Sequence, residues 1–196
     1  MMGIVAYLAS TPDRKLKVPR VRETIIHNFS DSDHAGDRKF GDTLSRSGDE
    51  CLCNGMQYQW SSKKQPKTST SSASAEIIAL SECVKHVRLR YWVCEEMGKK
   101  MEWPAKIMVD NTTALAVQNK VSPDSRLKGQ FDLRKQWLLE LQDKSKIKAV
   151  KVHTDFNLAD GKTKPHKGSD IKRWDTERDR LQSQVVAAFR GARSHP

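Results

Sequence analysis

The sequence predicts an α/β fold: a five-stranded mixed sheet with flanking helices, in the order β-β-β-α-β-α-α-β-α. Three observations lead there. Two strand-like segments meet at Asn54-Gly55, a strong hairpin signal. A long helical stripe follows, with Ile77, Leu80, Val84, Val87, Tyr91 and Cys94 spaced by three and four. Two short apolar segments, Ala105 to Val109 and Ile147 to His153, then alternate with helical ones.

In chain order, Met1 to Leu16 reads as a short amphipathic helix closed by Pro19. Glu23 to Phe29 has strand composition and runs into SDSDHAGD, Ser30 to Asp37. The hairpin strands fall around Leu44 to Cys53 and Met56 to Ser61. Lys63 to Ser74 is a basic, hydroxyl-rich loop interrupted by Pro66. Ser72 or Ser74 is expected to cap the long helix, and Gly98 to stop it. Asn111 to Asn119 reads as a short helix and Ser122 to Gly129 as a loop. Phe131 to Asp143 is helical, with Leu133, Trp137, Leu138 and Leu141 on one side. Leu158 to Gly168 reads as a loop, and Asp170 to Arg190 as a charged helix ending in VVAAF. Trp60, Trp92 and Trp137 are assigned to the core rather than to stacking surfaces.

Lys and Arg number 35 against 24 Asp and Glu, a net charge of +11. That excess favours a polyanionic partner over a neutral small molecule, although it would also simply keep a soluble protein dispersed. The longest apolar runs span only a few residues, as in Ile77 to Leu80, so the sequence holds no membrane-spanning helix and no membrane partner is expected. Cys51 and Cys53 form a C-x-C pair without a second pair at zinc-ligand spacing. Those two, with Cys83 and Cys94, read as reduced thiols in an intracellular compartment, cytoplasm or nucleus. The basic run Arg14 to Arg22 is weakly compatible with an organellar address.

Four acids stand out. Asp31 and Asp33 share one strand face, where paired carboxylates repel unless a cation or proton lies between them. Asp110 follows the most apolar strand, at the sheet edge where α/β folds bind ligands. Glu76 opens the long helix, and Asp160 follows the last strand. Each alone has a plain reading as a turn, a cap or a helix-dipole partner. Together, Asp31, Glu76, Asp110 and Asp160 can converge on one rim, where they would need divalent cations. Mg²⁺ suits such hard oxygen ligands, and two ions about 4 Å apart would clamp a displacement at phosphorus.

Five blocks carry a resemblance: SDSDHAGD (Ser30 to Asp37), WSSKKQPKTSTSSASAE (Trp60 to Glu76), VDNTTALA (Val109 to Ala116), SRLKGQFDLR (Ser125 to Arg134) and NLADGKTKP (Asn157 to Pro165). In this order the chain resembles the ribonuclease H domain of copia-type long-terminal-repeat retrotransposon polyproteins. The upstream YLASTPDRKL resembles the tail of the preceding reverse-transcriptase region. The resemblance implies three parts: a remnant or extension over 1–22, a ribonuclease H-like domain over 23–166, and a charged helical tail over 167–196. It implies a ribonuclease H-like fold, with Asp31, Glu76, Asp110 and Asp160 as catalytic ligands of two Mg²⁺ ions, Mn²⁺ being a substitute. Asp33 is expected beside them. The chain departs from the family pattern at His34 and Ser74, without losing any of the four acids.

The expected activity is hydrolysis of the RNA strand of RNA/DNA hybrids, with a reverse-transcriptase domain or a ribonucleoprotein as a further partner. Lys63, Lys64 and Lys67, with Ser69 and Ser71, are candidate phosphate contacts. Asn111 and Gln130 are candidate donors to the 2′-hydroxyl. His153 and His166 flank the fourth acid as candidate proton carriers, with ordinary surface histidines as the plainer reading. The alternative is a domesticated, non-catalytic subunit of a ribonucleoprotein such as an organellar ribosome. An integrase or junction nuclease of the same fold fits the block order poorly.

Overall fold

The computed structural model describes residues 9, 12–13, 18, 24–36, 43–112, 130–164, 173–181 and 183–184. The expected elements at Met1 to Leu16, at Asn111 to Asn119 beyond residue 112, and at Ser122 to Gly129 lie outside them. Five strands form one sheet: β1 (Ile26–Asp33), β2 (Arg46–Cys53), β3 (Met56–Lys64), β4 (Ala105–Val109) and β5 (Ile147–Lys151), in the order β3-β2-β1-β4-β5. The β1–β2 and β2–β3 pairs are antiparallel, while β1–β4 and β4–β5 are parallel.

The first three strands are built as their sequence predicts. Asn54 and Gly55 both have positive φ, 53° and 80°, which suits the right-handed twist of a two-residue hairpin. The Asn54 side chain also accepts the Ile25 N–H at 2.9 Å, tying the turn to the start of β1. β1 lies at the centre and is buried on both faces from Asn28 to Asp31.

Helix α1 (Ser72–Glu96) lies on one face of the sheet. Its stripe of Ile77, Leu80, Val84, Val87 and Tyr91 packs against Ile107 and Val109 of β4 and Ile147 of β5. Helix α2 (Gln130–Asp143) adds Leu138 and Leu141 to this core. Leu133 does not join them and is 73% exposed. The cap of α1 is Ser71, whose side chain accepts the Ser74 N–H at 3.1 Å. In a run of adjacent hydroxyls, local chemistry alone does not select which serine caps.

The opposite face is covered by α3 (Asp160–Thr163) and by a helical segment at 173–181. Phe29, Leu52, Leu158, Ala159, Trp174 and Leu181 form its core. Leu158 to Asp160, expected in a loop, are buried, and a single helical turn follows. Four residues are too few to show helical periodicity. The Asn157 side chain fixes the entry, donating to the Ser30 carbonyl at 3.1 Å and accepting the Ala159 N–H at 3.2 Å. Gly48 of β2 permits the approach of α3, because a Cβ there would lie 2.8 Å from Thr163 Cγ2 and 2.9 Å from the Ala159 carbonyl.

Buried charges are paired on both faces. On the α1 side, Arg90 donates to Gln59 at 2.9 Å and to Asn28 at 3.1 Å, while His86 Nδ1 lies 2.9 Å from Asp49. On the α3 side, fully buried Glu50 accepts two bonds from Arg178, at 2.6 and 2.9 Å, and lies 3.0 Å from Lys162. All four cysteines are free, and burial pushes the Cys51 thiol up to about 12. No helix among the described residues is long and apolar enough to cross a membrane.

Two of the three tryptophans assigned to the core are on the surface. Trp60 is 61% and Trp92 58% exposed, whereas Trp137 is half-buried against the α1-side core. β3 is an edge strand, and Trp92 lies on the outer side of α1.

Helix α1 ends in a paired C-terminal cap. Gly98, at φ +73°, donates to the Glu95 carbonyl at 2.9 Å, and Lys99 donates to the Cys94 carbonyl at 2.9 Å. No atom lies within 4 Å of a Cβ built at Gly98, so only backbone strain opposes a side chain. Gly98→Ala is expected to destabilise the fold by about 1 kcal/mol. A denaturant midpoint unchanged from wild type would contradict this.

Candidate functional site

Two strands and a helix meet at one rim of the sheet. Asp31 lies near the end of the central strand β1, Asp110 directly follows β4, and Glu76 projects from the first turns of α1. β1 and β4 are parallel neighbours, so their carboxyl ends face the same side. One carboxylate oxygen from each of Asp31, Glu76 and Asp110 lies within 4.8 Å of the others. Asp31 and Glu76 are buried and Asp110 half-buried.

The cluster is electrostatically costly. Burial, with the Asp110 and Asp160 charges adding to it, pushes the Asp31 carboxyl up to about 7 against a hydrogen bond from Thr163. Burial and the Asp31 charge push Glu76 up to about 8, and a hydrogen bond from Asn111 opposes them. Like charges in a low-dielectric site favour a retained proton or a bound cation. The donors are hard carboxylate oxygens close enough to share an ion, which fits Mg²⁺ or Mn²⁺ and does not fit a soft, thiolate-seeking metal.

Asp160 is buried beside this group but outside the set of three. Lys164 is hydrogen-bonded to its Oδ1, and Arg173 lies 3.6 Å from its Oδ2. Thr163 joins the two regions: its hydroxyl donates to Asp31 Oδ2 at 2.5 Å and is 3.1 Å from the Asp160 carbonyl. Thr163 and Lys164 escaped the sequence reading. Their only signal is their position three and four residues after Asp160, which brings them back over it on one helical turn. Asp33 lies opposite Arg46 at the end of β1 and is not part of the group of three.

The expected nucleic-acid contacts divide. Lys63 and Lys64 end β3 and Lys67 follows in the segment before α1, all three exposed. Ser69 is buried, donates to Gln65 at 2.6 Å, and has its carbonyl 3.1 Å from His34 Nε2, so it is a loop brace rather than a phosphate contact. Ser71 is occupied as the cap of α1. Asn111 hydrogen-bonds to Glu76 instead of standing open to a ribose. Gln130 begins α2, but its side chain lies outside the described residues, as does His166. His153 is on the surface, where its Nδ1 accepts the Asp155 N–H at 3.3 Å.

No family model matches the chain. It is 29% identical over 165 residues to the retrovirus-related Pol polyprotein from transposon RE2 of Arabidopsis thaliana, covering 83% of this chain. It is 28% identical over 142 residues, 72% of the chain, to the corresponding polyprotein from transposon TNT 1-94 of Nicotiana tabacum. The chain spans only about a tenth of the length of these curated relatives, 11% and 10%. Among solved structures, LC11-RNase H1 in complex with an RNA/DNA hybrid superposes with a TM-score of 0.52 at 12% identity, covering 71% of this chain and 94% of that one. At that identity the likeness establishes the fold. The sequence matches and the fold agree: the homologues of this chain are retrovirus-related Pol polyproteins of copia-type transposons, and its own fold is ribonuclease H-like.

Proposed function

We propose that this chain hydrolyses the RNA strand of RNA/DNA hybrids, leaving a 5′-phosphate and a 3′-hydroxyl. The observation that carries this reading is the convergence of Asp31, Glu76 and Asp110 within 4.8 Å at the rim. Support also comes from the fold it shares with LC11-RNase H1, which was crystallised with such a hybrid.

Asp31, Glu76 and Asp110 would hold divalent cations, with Asp160 as a fourth ligand once it exchanges Lys164 for metal. Two bound Mg²⁺ ions would supply Lewis acidity at phosphorus and a water of lowered pKa. Thr163 fixes the carboxylate of Asp31 by its hydrogen bond, and Asn111 does the same for Glu76. Lys63, Lys64 and Lys67 position the duplex through its phosphates, without reading sequence.

Asp110→Asn removes a charged oxygen ligand with little change of shape. It should lower cleavage of a labelled hybrid about a thousandfold or more, equivalent to several kcal/mol of lost charge stabilisation, while leaving hybrid binding intact. Cleavage at the wild-type rate would overturn the assignment. A wild-type chain that binds hybrid but does not cut it at any Mg²⁺ or Mn²⁺ concentration would leave the non-catalytic ribonucleoprotein subunit.

Replacing Lys63, Lys64 and Lys67 together by Ala should flatten the log–log salt dependence of hybrid binding by about two to three, given a slope near 0.7–0.9 per phosphate contact. An unchanged slope would place the contacts elsewhere.

The raised carboxyls also set a pH dependence. Between about pH 4 and pH 7 to 8, folded Asp31 and Glu76 keep protons that the unfolded chain has released. The folded state then binds more protons, so stability falls as pH rises through this window. In chelator, the melting temperature should therefore drop from pH 5 to pH 8, and Asp31→Asn or Glu76→Gln should flatten the drop. Mg²⁺ should raise the melting temperature at pH 8 far more than at pH 5, since it competes with those protons. Equal stabilisation at both pH values would rule out binding at these carboxyls.

A further inference from the structure

Among the described residues, two groups of exposed apolar side chains outside the carboxylate site differ in chemistry. On α1, Leu89, Trp92, Val93 and Met97 form a largely aliphatic stripe. On β3, Tyr58 and Trp60 are alone, 55% and 61% exposed. Tyr58 sits at the register shift opposite Cys51 and Leu52, Trp60 pairs with Glu50 on the α3-side face, and both rings are open to solvent. Ser62 and Lys64 continue that face toward the rim. Ser62 Oγ donates to the Lys162 carbonyl at 2.6 Å and accepts Arg46 Nη1 at 3.2 Å, so the α3 turn and a guanidinium border it.

The register fixes the distance to the carboxylates. Asp31 pairs with Gly48 and Gly48 with Ser62, so Trp60 lies two strands across and two residues down from Asp31. At strand spacings of about 4.8 Å and a rise of about 3.3 Å per residue, the backbones are about 12 Å apart. Tyr58 lies a further two residues along.

The charge around this pair favours a nucleic acid over a protein. Directly across from Trp60, Glu50 is neutralised by Arg178 and Lys162, with Arg178 also paired to Asp175, and the cations that border the face are Arg46 and Lys64, toward the rim. Rings on a sheet face beside cationic groups offer any base a π-surface, while the cations follow the backbone.

We propose that Tyr58 and Trp60 are a stacking platform for a single strand of nucleic acid that leaves the hybrid beside the carboxylate rim. This deepens the hybrid-cleaving reading and rests on it for the position of the duplex. The ligand is recognised by its base faces and phosphates, and it could be the RNA or the DNA strand.

The test measures binding of the full chain in chelator, where no cutting interferes. The probes are a blunt RNA/DNA hybrid and the same hybrid extended by about eight unpaired nucleotides, of RNA in one arm and DNA in the other. The extension should tighten wild-type binding about tenfold, roughly the value of one stacked base. Trp60→Ala should abolish that gain, Tyr58→Ala should reduce it, and Trp60→Phe should keep most of it. Blunt-hybrid affinity should not change in any variant.

A wild-type chain that gains nothing from either extension overturns the platform. So does a Trp60→Leu variant that retains the full gain, because an apolar side chain without a ring would then suffice. Loss of self-association in Trp60→Ala with the extension gain intact would assign the face to protein contact instead. The arm that retains the gain identifies the strand. Failure of the hybrid-cleaving reading would be seen separately, as absent cleavage of the blunt hybrid in Mg²⁺.

Discussion

The repulsion among three carboxylates, two of them buried, is the constraint around which the sheet is organised. Asp31 is buried because β1 is the central strand, covered by α1 on one face and by α3 on the other. Asp110 reaches it because β4 runs parallel to β1, and Glu76 because α1 starts at the same rim. None of these placements improves folding by itself. A chain that holds such a cluster gives up stability for a site that favours cations.

The other buried acids make the contrast clear. Glu50 is fully buried, but it carries a bidentate guanidinium and an ammonium group. Asp49 is buried beneath α1 with His86 and Arg90 close to it. Those acids are already neutralised by the fold. Asp31 and Glu76 instead face each other and Asp110, and this separates acids that support structure from acids that await a ligand. Asp160 stands between these classes, paired with Lys164 yet linked to Asp31 through Thr163.

Much of the fold was legible because local rules and tertiary packing agree. Asn54-Gly55 is a turn in isolation and in the structure, and the α1 stripe is a core face in both. The meeting of Asp31, Glu76 and Asp110 was legible from their positions at the ends of strands and the start of a helix. Other features were hidden for identifiable reasons. The α3 turn is too short for periodicity, and its burial depends on Gly48, more than a hundred residues earlier. Ser69 and Ser71 carry the same hydroxyl as their neighbours, and only geometry shows that one braces a loop and the other caps a helix. Trp60 and Trp92 looked like core residues because size and apolarity do not reveal which side of an edge strand or helix is covered.

The Glu50–Arg178 pair has a bearing on where the domain can be cut. The last of the five sequence blocks ends at Pro165, which makes that proline an inviting place to trim. A fragment ending there would lose Trp174 and Leu181 from the α3-side core and leave a sealed-in Glu50 with Lys162 alone. Stranding half of a buried pair in this way typically costs about 3–5 kcal/mol. The helical segment at 173–181 is thus an integral wall of the fold, and any excised version meant to stand alone should extend through residue 181.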